Sequence, residues 1–136
     1  MRESLATAQT MSEAGQLVLV VDDYQDAREL YAEYFALSGY RVAEASNGAE
    51  AIEKARELAP DVILMDLSLP GMDGWEATRR LKANRQTKDI PVVALTSHAL
   101  AGFSDSARKA GCDAVITKPC LPDRLVVEVR RLLSSC

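Results

Sequence analysis

Four short apolar runs, each ending on polar groups, leave this chain very few folds to choose from. Residues 17–21, 62–65, 91–95 and 114–116 are too short for helices and rich in β-branched side chains, so each reads as a strand buried on both faces. Between and after them apolar residues recur at helical spacing: Ala27, Leu30, Tyr31, Tyr34 and Phe35; Ala51, Ile52, Ala55 and Leu58; Trp75, Thr78 and Leu81; Leu100, Phe103, Ala107 and Ala110; then Leu125, Val126, Val129, Leu132 and Leu133. Alternation over 40–45 adds an edge strand. Five strands alternating with five helices predict an α/β fold, a parallel sheet wound on both faces.

The punctuation agrees with that reading. Ser38-Gly39 stops the first helix, Asn47 with Glu50 forms an Asx version of a capping box, Pro60 closes the second helix, Gly111 the fourth, and Pro122 sits in the first turn of the last. Residues 1–16 are small and polar with little periodicity and read as a flexible extension, and 17–134 as a single domain.

Of the 136 residues 48% are hydrophobic and 26% charged, which excludes a disordered chain, and no apolar run approaches the about 18 residues needed to cross a membrane. The first residues lack the apolar core of a signal peptide, so a cytoplasmic protein with no membrane association is expected. A net charge of -4 argues against a nucleic-acid surface, since phosphate neutralisation needs clustered Lys and Arg. Three cysteines, Cys112, Cys120 and Cys136, show no metal-ligand spacing and read as free thiols.

The chemistry collects where the strands stop. The run 62–65 ends on Asp66, and Pro70, Gly71 and Gly74 then turn the chain away from the sheet. The first strand ends on Asp22-Asp23, the fourth on Thr96-Ser97 and the fifth on Thr117-Lys118-Pro119. Singly, each has a plainer reading as a helix cap or a turn. Jointly, all fall on the carboxyl edge of an open α/β sheet, where ligands bind.

Three carboxylates converging there repel one another unless a cation neutralises them, and an all-oxygen, open site suits Mg²⁺. Lys118 supplies a fixed positive charge and Thr96 a hydroxyl donor, both suited to a phosphoryl group transferred in line. Asp66 is the natural nucleophile, because a carboxylate forms an acyl phosphate without a base to deprotonate it.

Val20-Val-Asp-Asp23, Asp66-Leu-Ser-Leu-Pro-Gly-Met-Asp-Gly74, Ala94-Leu-Thr-Ser97 and Thr117-Lys-Pro119 together resemble the motif set of the receiver domain of bacterial two-component response regulators. The resemblance covers residues 17–133, with the motifs in order at family spacing. It implies a flavodoxin-like sheet in the order 2-1-3-4-5 and phosphorylation at Asp66. It implies Mg²⁺ held by Asp23, Asp66 and the backbone carbonyl of Ser68, with Asp22 assisting. Thr96 becomes the hydroxyl that moves to the phosphoryl group, Lys118 its ion-pair partner, and the Lys118–Pro119 bond is expected to be cis. The partners it implies are a sensor histidine kinase or histidine phosphotransfer protein upstream and an unidentified protein target downstream, for a monomer or weak dimer that is a switch and not an enzyme.

The chain departs from that pattern at three places. Val115 stands where the family usually has an aromatic, Cys120 follows Lys-Pro, and Leu121 replaces a capping Asp or Ser before the last helix. These leave the phosphorylation chemistry intact and alter its readout. The change on activation is then expected in the segment 96–102, and Val115 and Leu121 read either as apolar docking surface or as core and rim packing. Three functions remain open: a stand-alone receiver, a receiver from a hybrid kinase or transcription factor (suggested by the end at Ser134-Ser135-Cys136), and an Asp-nucleophile phosphohydrolase. Ser68 disfavours the last, since hydrolases resembling the haloacid dehalogenase family place a second acid there.

Overall fold

The computed structural model describes residues 15–67, 69, 71–96, 109–117 and 121–134. Five parallel strands form one sheet in the order β2-β1-β3-β4-β5: β1 Leu17–Val21, β2 Arg41–Ala45, β3 Val62–Asp66, β4 Val92–Thr96 and β5 Ala114–Thr117. The expected order is the observed one. Among the described residues four helices flank the sheet: α1 Gln25–Leu37, α2 Gly48–Leu58, α3 Gly74–Ala83 and α4 Pro122–Ser134. The expected helix through Leu100, Phe103 and Ala107 lies outside the described residues, as do Ser68, Ser97, the Lys118–Pro119 bond, Cys120 and residues 1–14; Lys109 and Ala110, at that helix's expected end, are helical.

Strand alternation divides the core into two layers. Leu19, Val21, Ile63, Met65, Val92 and Ala94 face α2 and α3, packing on Ala51, Ala55, Ala77 and Leu81. Val18, Val20, Val62, Leu64, Val93 and Leu95 face α1 and α4, packing on Tyr31, Phe35, Leu125 and Val129. Every residue of β1, β3 and β4 is buried, as central strands covered on both faces must be.

On α1 the buried residues are Tyr31, Ala32 and Phe35, whereas Leu30 and Tyr34 of the expected stripe are exposed at 50% and 37%. The sheet takes a narrower stripe than the apolar residues supply, and the neighbouring column of Leu30, Tyr34 and Leu37 is left to solvent. Helix α2 ends as predicted before Pro60, with Ala59 in the left-handed region at φ 48, a conformation that costs a non-glycine residue about 1–2 kcal/mol.

The amino-terminal edge of the sheet is tied by two matching reciprocal pairs. Asp61 donates its amide to the Leu17 carbonyl at 2.8 Å and accepts the Leu17 amide on its carboxylate at 2.7 Å. Asp113 repeats this with Val92, both bonds at 2.8 Å, and its carboxylate also pairs with Lys82 at 3.0 Å. With these aspartates closing one edge, the opposite edge is free to carry chemistry.

Candidate functional site

Three elements deliver the acidic groups. The register that pairs Val21 with Met65 brings Asp22 to the level of Asp66, the last residue of β3. Asp22, Asp23 and Asp66 each offer a carboxylate oxygen, and these atoms lie within 4.8 Å of one another. Asp22 and Asp66 are buried, while Asp23 faces solvent at the mouth of the cluster. The sequence reading placed these three together, and the structure brings them together.

Thr96 ends β4 beside them, 2% exposed, with Asp66 paired to Leu95 in the register of the adjoining strands. Thr117, the residue before Lys118, pairs with Thr96 at the end of β5, so the chain enters the Lys-Pro motif from this same edge. Ser68 and Lys118, the other two expected site residues, lie outside the described residues.

The loop after Asp66 is shaped by a close approach. Gly74 donates its amide to the Leu67 carbonyl at 3.2 Å, and its α carbon lies so near the strand end that a β carbon there would stand 2.4 Å from the Asp66 carbonyl oxygen. Only glycine permits this contact. Helix α3 then starts with Asp73 as its cap, accepting the Glu76 amide at 2.9 Å, and the Thr78 hydroxyl donates to the Gly74 carbonyl at 2.7 Å. Trp75, in the first turn, packs against the α2–α3 layer of the core.

On the other flank the β1–α1 turn is held by side chains that sequence reasoning missed. The Tyr24 amide donates to Asp22 Oδ1 at 2.9 Å, and Arg28 Nη1 donates to the Asp22 carbonyl at 2.9 Å. Arg28 Nε pairs with Glu44 of β2 at 3.0 Å, and Lys54 of α2 donates to the Glu44 carbonyl. The available signal was positional: a helical arginine five residues after Asp23 has a side chain that leans back over the turn.

The predicted capping box forms with a shift. Asn47 accepts the Glu50 amide at 2.8 Å, but the Glu50 carboxylate reaches the Ser46 amide at 2.7 Å, one residue before the cap. That hydrogen bond, with Lys54 nearby, holds the Glu50 carboxyl below its usual range.

Of the departures noted in the sequence, Val115 packs against the core and Leu121 is 71% exposed. Val115 thus takes the packing alternative, and Leu121 stands on the surface before α4.

The donor set is all-carboxylate, half buried and open to solvent on one side. Hard oxygen ligands of this kind fit a divalent cation such as Mg²⁺, which accepts a few carboxylates and keeps water for its remaining positions. A buried carboxylate at a strand end, flanked by a hydroxyl, has the makings of a nucleophile toward phosphorus.

Known proteins resemble the chain in the same terms. Residues 18–130 match the response regulator receiver domain family. The polar-differentiation response regulator DivK of Brucella anthropi is 37% identical over 118 residues, covering 87% of this chain and 96% of that protein. Among solved structures, the Vibrio cholerae chemotaxis protein CheY4 superposes with a TM-score of 0.81 at 29% identity, covering 85% of this chain and 97% of the other. The receiver domain of a Pseudomonas aeruginosa sensor histidine kinase, with a magnesium ion coordinated in its active site cleft, superposes with a TM-score of 0.81 at 31% identity, covering 88% and 98%.

Proposed function

The chain belongs to the response regulator receiver family, and we propose that it accepts a phosphoryl group on Asp66 from a phosphohistidine and signals through the surface changes that follow. An Asp66 carboxylate oxygen attacks phosphorus, the phosphorus–nitrogen bond breaks, and the imidazole nitrogen keeps the electron pair and takes a proton from solvent. The observation that carries this is the meeting of Asp22, Asp23 and Asp66 within 4.8 Å at the carboxyl edge, beside Thr96.

Asp22, Asp23 and Asp66 would hold Mg²⁺, with the Ser68 backbone carbonyl as a further ligand. Bound there, the cation supplies positive charge that offsets the carboxylates and the phosphoryl oxygens. Burial of Asp22 and Asp66 keeps the nucleophile in a low-dielectric setting, the Thr96 hydroxyl donates to a phosphoryl oxygen, and Lys118 pairs with its charge.

The phosphodonor would be a sensor histidine kinase or a histidine phosphotransfer protein, and the output a protein target. Residues 17–134 would form the switch. The likeness to DivK, which is spanned at 96% of its length, supports a receiver working by itself; it would act in the cytoplasm as a monomer or weak dimer. Among the described residues no helix is long and apolar enough to cross a membrane. The likeness to the receiver of a sensor histidine kinase supports the alternative, a receiver within a larger signalling protein. Either way the chemistry is one self-phosphorylation and its hydrolysis, without turnover of another substrate.

The test is labelling with a small acyl phosphate or phosphoramidate and Mg²⁺. One acid-labile, hydroxylamine-sensitive phosphoryl group per chain is expected, and Asp66→Asn, which keeps the shape and removes the nucleophile, abolishes it. Stoichiometric labelling of the Asn variant would refute the assignment.

A further inference from the structure

Building on the metal reading above, we propose that Arg28 is a positioning residue for cation binding, acting through the backbone of Asp22 without touching the ion. Arg28 lies one turn into α1, where its amide bonds the Tyr24 carbonyl at 3.0 Å. Its guanidinium folds back over the β1–α1 turn and serves two acceptors, the Asp22 carbonyl through Nη1 at 2.9 Å and the Glu44 carboxylate through Nε at 3.0 Å. The side chain is 16% exposed, and the planar fork lets one group answer two directions at once.

Asp22 is thereby fixed at three atoms. Its amide donates to the Ala45 carbonyl at 3.1 Å, its carbonyl accepts from Arg28, and its Oδ1 accepts the Tyr24 amide. Asp23 stands between these fixed neighbours. Of the three carboxylates, Asp66 comes from a central buried strand, while Asp22 and Asp23 come from a turn. Mg²⁺ demands near-octahedral geometry at short distances, so slack in that turn is lost affinity.

The sign of the effect separates positioning from charge. A guanidinium this near a cation site repels the ion, so if charge dominated, removing it would tighten binding. Positioning gives the opposite sign.

The experiment is Mg²⁺ titration of the full chain, followed by Trp75 fluorescence and calorimetry. Arg28→Ala is expected to weaken binding about tenfold, the low end for outer-sphere partners of metal ligands. Arg28→Lys weakens it too, since an ammonium lacks the fork, and Glu44→Ala falls between. Glu44→Gln, which keeps an acceptor for Arg28, stays near the unmodified protein. Without any cation, Tyr24 amide exchange accelerates in Arg28→Ala while the Ile63 and Leu64 amides stay protected. Unchanged or tighter binding in the Arg28 and Glu44→Ala variants, with binding abolished in Asp23→Asn, overturns the proposal and leaves the metal reading standing. Absence of Mg²⁺ binding by the unmodified protein overturns both. Should Arg28→Ala fail to fold, Arg28→Lys and Glu44→Ala decide the question by the same measures.

Discussion

The α carbon of Gly74 rests against the backbone of Asp66, leaving no room for a methyl group between the first residue of α3 and the last residue of β3. This contact sets where the chain turns after Asp66. It also ties the helix start that carries Trp75 to the strand end that carries the Asp66 carboxylate.

Gly74→Ala therefore tests the coupling of fold and site. Relief of a 2.4 Å approach to the Asp66 carbonyl must come from backbone, since no flexible side chain stands in the way. Urea denaturation should show a loss of about 1–3 kcal/mol, the usual range for overpacking. Mg²⁺ affinity should fall in the same variant, because Asp66 moves with its peptide; full retention of both would mean that the strand end yields freely.

A change at the opposite edge should separate the two properties. Asp113→Ala leaves the buried Val92 amide without its carboxylate acceptor and Lys82 without its anion. A stability loss of about 1–3 kcal/mol is expected from the orphaned amide. Phosphorylation of the folded protein and its Mg²⁺ affinity should stay as they were, and a parallel loss of affinity would contradict the separation.

Cys112 makes stability depend on alkaline pH. Burial pushes its thiol up, with the Thr78 hydroxyl 3.9 Å from the sulfur opposing the shift only in part. A raised folded-state value means that the unfolded chain gives up the proton first. The contribution is complete below the ordinary thiol value of about 8.5 and is lost as pH rises through the folded value. The stability difference between the unmodified protein and Cys112→Ala, about 1 kcal/mol near pH 7 for one buried sulfur, should shrink from pH 8.5 upward in thermal melts. A difference constant from pH 7 to 10 would rule this out.

Much of this arrangement was written in local patterns. Central strands buried on both faces show as unbroken apolar runs, and those runs end on Asp22, Asp66 and Thr96, so the acidic edge is legible in the sequence alone. Leu30 and Tyr34 went astray because apolar character at helical spacing does not say how wide a stripe the sheet covers. Arg28 and Glu44 went unread for another reason. Their bond joins residues 16 apart on different elements, and neither residue stands out in composition or spacing. Gly74 was legible as a turn residue, but its close approach to Asp66 is a property of packing.

The parallel pairing of β1 with β3 skips over β2 and α2, so Asp22 and Asp66 meet only after the intervening crossover has closed. A chain emerging from the ribosome cannot present the acidic cluster until β3 has been made and docked. Such non-local pairing is among the slower events of folding. Because a cation that recognises only the assembled cluster stabilises the whole domain by an amount that grows with the logarithm of its concentration over its dissociation constant, Mg²⁺ would bias nascent chains toward completion. Competence to receive a signal would then arise at the same moment as completion of the fold.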